Sequence, residues 1–553
     1  MGFFQPTPPP YDPLELARKP FAERSRAVCA AWALQGYGTP LAIYAFYAVK
    51  VVLLYVGGWW LFCRFSPGLG DPRSIASWAF TPVAFQKAIL YSLLFEVLGL
   101  GCGSGPLTGR YFPPIGGFLY FLRPGTTKLP LFPRAPILGG TTRTWLDVLL
   151  YAALIACLLR ALVAPAIAAA HVVPIAVLLP VLGLADRTIF LAARAEHYWT
   201  TVMVFALSAA LGADWIPGAK AVEAGLWFWA GVSKLNRHFP AVVCVMTSNS
   251  PFTRFAWLRR AMYRRFPDDL APSRLAVIAH GGTLLEFAVP VLLVAGDGGA
   301  PTVVGLVLMV FLHAFITSNV PMGVPLEWNV MMVYGGFFLF WKHAGASLLA
   351  IPLPLAAFLA VMLVLVPLLG NLFPSRISFL LAMRYYAGNW AYSIWLFKGE
   401  SYRKLDRLKK SSAWVLDQLQ RFYDRRMSLA IVSKTMGFRL MHLHGRVLSR
   451  LVPRAIAGPF EDHEWMDGEL VAGMVLGWNF GDGHLHQEDL LRAVQEQCAF
   501  EEGELRCIFV EGQPLGQKTL EYRIADARTG VIEEGRVEAR ELEERQPWGA
   551  GAG

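Results

Sequence analysis

Between residues 41 and 370 the chain is a near-continuous series of apolar tracts, each broken by a short polar or proline- and glycine-rich stretch. The tracts fall at roughly 41–63, 81–101, 145–163, 168–185, 197–213, 218–234, 275–296, 301–320, 326–342 and 347–369. Most approach the roughly 20 residues that an α-helix needs to cross the hydrocarbon core of a bilayer. The pattern therefore predicts an all-α polytopic membrane bundle of about ten spans. Residues 401–553 read like an ordinary soluble segment, and from about 465 the pattern changes to short strands and a helix. "LRCIFVEG" and "ELVAGMVLGWNF" are expected to be strands and "QEDLLRAVQEQCAF" a helix. "KTLEYRIADARTGVIEEGRVEAREL" is expected to be a hairpin turning at "DARTG". A small C-terminal α+β soluble domain is thus predicted over 427–545, followed by a disordered tail at 546–553. Between bundle and domain, 371–426 is expected to hold an interfacial or re-entrant helix at 377–397 and a basic amphipathic helix at 401–426 on the membrane surface. Residues 1–40 form a basic, proline-rich segment with no apolar core, so the tract beginning at Leu41 is expected to act as an uncleaved anchor.

Charge orients this arrangement. Of the 553 residues only 16% are charged, and the net charge is +10. In a chain this apolar, the excess is expected to serve cytoplasmic loops and anionic membrane lipid, not nucleic acid. Arg110, Arg123, Lys128, Arg134 and Arg143 lie in the loop 102–144, and seven arginines lie in 235–274. The intervening loops on the other side carry few basic residues, such as Arg64, Arg73 and Lys220. The positive-inside rule then places both termini in the cytoplasm and the protein in the cell inner membrane. The loop 102–144, rich in aromatics, prolines and glycines, is expected to pack into the bundle, because irregular backbone at membrane depth needs protein or a cavity around it. The seven cysteines form no CxxC pair and imply neither a disulfide framework nor a zinc ribbon.

Ionisable residues inside apolar tracts are costly and are functional candidates for that reason. Lys87 and Arg160 lie near tract ends and can snorkel. Lys50 is expected to pair with Glu96. His280 and Glu286 are six residues apart, about 120° around a helix, so no dyad follows from their spacing. Lys234 has two readings: a basic stop at the cytoplasmic end of a span, or a buried base. The paired histidines of "MHLHG" (His442, His444) and "DGHLHQED" (His484, His486) alternate in a way that suits one metal poorly, so no metal site is expected.

Four stretches carry a resemblance. "ARAEHYWTTVMVF" (193–205), "WFWAGVSKLN" (227–236), "AHGGTLLEFAVPVLLVAG" (279–296) and "FLHAFITSNVPMGVPLEWNVMMVYG" (311–335) resemble, in order, the transmembrane core of vitamin K-dependent gamma-glutamyl carboxylase. They also resemble bacterial proteins with the horizontally transferred transmembrane domain. The ends, "GFFQPTPPPYDPLE" and "MRYYAGNWAYSIWLF", resemble a family of bacterial multi-pass membrane proteins of unknown function. The likeness to the carboxylase spans 193–341. It implies an enzyme acting on a lipid-soluble, quinone-like molecule, with Lys234 as base and His197, His280 and His313 as active-site histidines. A quinone or hydroquinone is then expected against Trp227, Trp229, Glu286 and Asn319. Burial among Leu226, Phe228, Trp229 and Val232 would favour the neutral amine. The chain lacks the carboxylase's large lumenal portion, so the protein substrate does not carry over. The competing reading is a lipid or peptide transporter or accessory subunit that reuses the fold without chemistry. Its expected partners are membrane lipids and a hydrophobic small molecule.

Overall fold

The computed structural model of the chain describes residues 2–101, 109–112, 117–277, 280–319 and 325–549. Helix α1 (Phe21–Gln35) precedes the apolar tracts. The tracts then form α2 (Leu41–Cys63), α3 (Pro82–Val97), α4 (Trp145–Val163), α5 (Ala169–Ala185), α6 (Thr200–Leu211) and α7 (Ile216–Lys234). After α8 (Phe239–Asn249) come α9 (His280–Ala295), α10 (Ala300–Thr317), α11 (Leu326–Gly336) and α12 (Leu353–Leu372). Every expected tract is helical where described, but among the described residues length and composition qualify five stretches to cross a membrane. These are Leu41–Cys63, Trp145–Val163, Arg274–Ala295, Ala300–Thr317 and Leu353–Leu372. The count of about ten falls to five on this measure because the other helices are shorter or more polar. α3 buries Gln86, Lys87 and Glu96, and α7 carries Lys220, Glu223 and Lys234.

Local sequence sets the helix ends. Thr81 caps α3 through the Ala84 amide, with Pro82 in the first turn. Thr144 and Asp147 form a reciprocal capping box on α4. Gly212 closes α6 at a φ of 63°. α10 and α11 approach closely at Gly336, where a Cβ would stand 2.3 Å from the Met309 sulfur. The buried ion pair of Lys50 is made with Glu327 at 2.6 Å, so its partner lies on α11, whereas Glu96 of α3 was expected.

The C-terminal part is an antiparallel sheet with helices packed on it. A short ribbon, β1 (Tyr263–Arg265) and β2 (Asp269–Pro272), precedes it in the chain. The sheet has the order β4-β3-β5-β6-β7, with β3 (Tyr392–Lys398) between β4 (His463–Asp467) and β5 (Leu505–Val510). The expected hairpin is β6 (Thr519–Asp526) with β7 (Gly530–Glu538). Three elements differ from the sequence pattern. The expected helix at 377–397 is turns followed by strand β3, whose buried faces on both sides leave no alternation to read. The basic stretch 401–426 is a 3₁₀ turn (Ser401–Arg407) and a short helix (Val415–Leu419), and helix α13 (Arg425–Met441) starts where it ends. Its charges pair within the protein, as in Arg403–Asp417 at 2.8 Å and Lys404–Glu504. "ELVAGMVL" is helix α14 (Gly468–Leu476), capped by the Asp467 side chain, and not a strand. "EDLLRAVQEQC" is helical as expected, forming α15 (Glu488–Cys498).

Segments expected on one side of the membrane converge on this unit. Lys434 of α13 donates to the carbonyls of Thr7 and Tyr37. Arg110 reaches Ser411 and the Gly477 carbonyl. Arg187 pairs with Asp489, and Arg446 donates to Leu270 O at 2.9 Å. In the loop 102–144, residues 102–108 and 113–116 lie outside the described residues. The remainder is packed inward: Lys128 pairs with Asp147 at 2.8 Å, Arg143 pairs with Asp186, and Tyr120 donates to the Val475 carbonyl. In the tail expected to be disordered, 546–553, Gln546 bonds the Leu270 amide and Asp269, and residues 550–553 lie outside the described residues. At the opposite end of the bundle, Lys220 donates to the Ala344 and Ala346 carbonyls, both at 2.7 Å.

Candidate functional site

A chamber of about 450 Å³ lies where α7, α8, α9, α10 and α11 meet the C-terminal unit, and its walls are predominantly apolar. Phe311 and Phe315 line it and are also exposed on the outer face of α10, so the chamber borders the bundle surface there. Lys234, at the last turn of α7, projects into it and pairs with Glu286 of α9 at 2.6 Å. The lysine side chain is 12% exposed and the carboxylate 3%. The amine also lies 3.3 Å from the Ala230 carbonyl and 5.8 Å from the Phe239 ring centre.

Lys234 thus has a carboxylate partner on a neighbouring helix. The apolar sleeve expected from its own helix is not there. Phe228 is exposed, and Trp229 turns away to donate to Leu363 O at 2.7 Å. Trp229 is not among the chamber's lining residues, whereas Trp227, Glu286 and Asn319 are.

The histidines separate. His313 lines the chamber but has both ring nitrogens engaged. Its Nε2 accepts from Trp227 Nε1 at 3.0 Å, and its Nδ1 stands 2.7 Å from Asn329 Oδ1. The Asn329 amide donates to Pro325 O, which fixes its oxygen toward the ring and makes Nδ1 the protonated nitrogen. His313 is therefore held as a neutral tautomer with no free lone pair. His197 sits behind the wall: its Nδ1 accepts from Trp328 Nε1 at 3.0 Å, and Trp328 faces the chamber. His280 lies beside the chamber, its ring 5.6 Å from that of Phe239. The expected shared cavity thus holds Lys234 and His313, while His197 and His280 reach it only through an aromatic neighbour.

His197 lies in a π-helical turn, Ala195–Trp199, entered through Arg194 at a φ of 52°. A bulky residue in the left-handed region is strained, and such turns concentrate at functional positions. Arg194 pairs with Glu196 at 2.9 Å, lies over the Trp328 ring and lines the chamber. The pattern of spans gave no reason to select it.

Sequence reasoning also missed the far wall. Glu469, Asn479, Trp390 and Tyr385 come from the C-terminal unit and line the same chamber. Read as a separate soluble domain, that unit offered no sign that it closes a membrane cavity. Its histidines are individually committed. His442 bonds Phe438 O and the Tyr386 hydroxyl, His444 bonds Gly388 O, and His486 bonds Ser393. His484 lies between Asp482 and Glu511, at 3.5 and 3.3 Å.

A family model described as transmembrane protein of unknown function (DUF3556) matches residues 1–552. No curated protein and no solved structure matches the chain, so the carboxylase-like reading rests on the four sequence motifs alone. A match across nearly the whole length, to a chain whose apolar helices surround a chamber at one end of the bundle, makes this protein a member of that transmembrane family.

Proposed function

We propose that the protein is a multi-pass membrane protein that receives a lipid-soluble molecule with an acidic hydroxyl, of the hydroquinone kind, in this chamber. We further propose that Lys234 and Glu286 act on that hydroxyl as a proton relay. The observation that carries the reading is an ion pair set in the wall of a mostly apolar chamber next to the lipid-facing surface. The pair is neutral overall. As the hydroxyl proton passes to the lysine nitrogen, an ammonium proton passes to the Glu286 carboxylate; the O–H bond breaks, the oxyanion left on the ligand faces the ammonium, and the wall's gain of one positive charge balances it. Trp227 and Trp328 offer flat aromatic faces to a ring, and His313, locked neutral, orients Trp227. The resemblance in motifs 193–341 supports Lys234 as the residue that handles the proton.

An octyl-substituted nitrophenol tests the relay, because its absorbance distinguishes phenol from phenolate. Bound to the wild-type protein it is expected as phenolate. Bound to the double variant Lys234→Met/Glu286→Gln, which removes the pair without leaving one charge buried, it is expected as phenol. A neutral chromophore in both would discard the relay and favour the transporter or accessory reading. Mass spectrometry of an organic extract tests the chamber itself. A species that co-purifies with the wild type should be lost from the chamber-filling variant Ala230→Phe, and an extract unchanged by that variant would argue against the chamber.

In the same reading, all ten tracts cross the inner membrane and both termini are cytoplasmic. What supports this is convergence: the N-terminal segment and the loops after α3, α5 and α7 all meet the C-terminal unit. Two spans between successive such loops are what an even count requires.

A further inference from the structure

The chamber's far wall carries a buried acceptor that no described residue satisfies. Asn479 is 1% exposed, and its amide nitrogen lies 3.4 Å from Glu469 O, so its Oδ1 is an acceptor. That oxygen has no hydrogen-bond partner among the described residues. Trp390 is 4% exposed, and its Nε1–H meets no well-aligned acceptor among the described residues, the Glu469 carboxyl being its one weak partner. Glu469 is anchored from behind by Arg439 at 3.4 Å, and Arg439 is also held by Asp467 at 2.8 Å. All three of Asn479, Trp390 and Glu469 face the chamber.

Leaving a buried donor or acceptor unpaired costs about 1–3 kcal/mol each. One wall here presents a lone acceptor, Asn479 Oδ1, beside a weakly paired donor, Trp390 Nε1–H. A carbonyl in the ligand would satisfy Trp390 alone, and an ammonium would satisfy Asn479 alone. A hydroxyl satisfies both, because it donates one hydrogen bond and accepts others. We infer that Asn479 and Trp390, backed by Glu469, form a hydroxyl-recognising subsite contributed by the C-terminal unit. The inference rests on the chamber proposed above and adds a second polar contact to it: a ligand engaging both walls carries a hydroxyl at this subsite as well as a group beside Lys234. Burial raises the Glu469 carboxyl above its ordinary range, with Arg439 opposing the rise and Asp467 reinforcing it. The residue is thereby suited to share a proton with a neighbouring hydroxyl.

The test compares para-octylphenol with its methyl ether, which keeps the acceptor oxygen but has no donor. Both are titrated calorimetrically into the full chain in nanodiscs. Wild type is expected to bind the phenol at least about ten-fold tighter than the ether, the scale set by leaving one buried acceptor, Asn479 Oδ1, unpaired. Asn479→Leu should reduce that preference to about two-fold or less, while Trp390→Phe should weaken phenol and ether alike, because both oxygens accept from the indole. Equal affinity of wild type for phenol and ether would overturn the subsite and leave the chamber standing. A preference that survives Asn479→Leu but is lost in Lys234→Met/Glu286→Gln would also overturn it, by placing hydroxyl recognition at the opposite wall. No binding of either probe would defeat the chamber and the subsite together.

Discussion

At the scale of single residues, the interaction that decides most is Lys234 with Glu286. Removing one partner of a buried pair strands the other charge, which typically costs about 3–5 kcal/mol. Lys234→Met is therefore expected to lower the thermal midpoint in detergent sharply, and adding Glu286→Gln should restore much of the loss. Lys234→Arg keeps a cation beside Glu286 and should stay close to wild type in stability. A Lys234→Met variant as stable as wild type would mean that the pair is not formed. His484 gives a second residue-level test, in the C-terminal unit. Burial alone would push its pKa down, but hydrogen bonds and charges from Asp482 and Glu511 hold it up at about 10, against 6.5 for the free side chain. A raised folded pKa means stability that is fully present below pH 6.5 and is lost as pH climbs toward 10. The thermal midpoint of wild type relative to His484→Asn should therefore shrink over that interval, and a constant difference would refute the assignment. Much of this scale was legible. Lys234, Glu286, His313 and Asn319 stand out in the sequence because polar atoms are rare in apolar tracts, and all four line the chamber. Glu286 was tied to no partner, because spacing along one helix cannot report a lysine on another.

At the scale of elements, the helices of the apolar tracts could be read directly, since long apolar runs bounded by caps have few alternatives. The strand β3 could not. "YSIWLFK" is buried on both faces, and periodicity cannot separate such a run from a buried helix. What makes it a strand is tertiary: β4 and β5 pair along both edges, with Trp395 opposite Met466 on one side and Cys507 on the other. A proline there removes a ladder donor in the centre of the sheet. Trp395→Pro is expected to abolish folding of the C-terminal unit, read as loss of protease resistance at 500–545, while proline at Glu534 on the outer strand β7 should be far milder. Equal tolerance of the two prolines would show that β3 is not central. The same limit explains α14. "ELVAGMVL" is apolar at every turn, and the Asp467 cap that starts the helix lies in the preceding strand β4.

At the scale of the whole molecule, the C-terminal unit is part of the membrane site. Sequence patterning divides the chain at about residue 370, because charge density changes there, and that division hides the contacts across it. Phe379, Tyr385 and Asn479 share one chamber with Trp227 and His313, so neither part encloses it alone. In the proposed ten-span arrangement, the N-terminal segment and three loops that meet this unit share one side of the membrane with it. The opposite end is defined by Lys220 reaching the Ala344 and Ala346 carbonyls. Gly345, exposed with open space around it, lies at that end, and Glu502 is exposed on the C-terminal unit. Single-cysteine variants Gly345→Cys and Glu502→Cys, in a background lacking the native cysteines, should then react with a membrane-impermeant maleimide from opposite faces of sealed vesicles. Glu502→Cys should be protected in right-side-out vesicles and Gly345→Cys labelled, with the order reversed in inverted ones. Labelling of both from one face would mean that the bundle does not separate them, and the ten-span arrangement would fall with it.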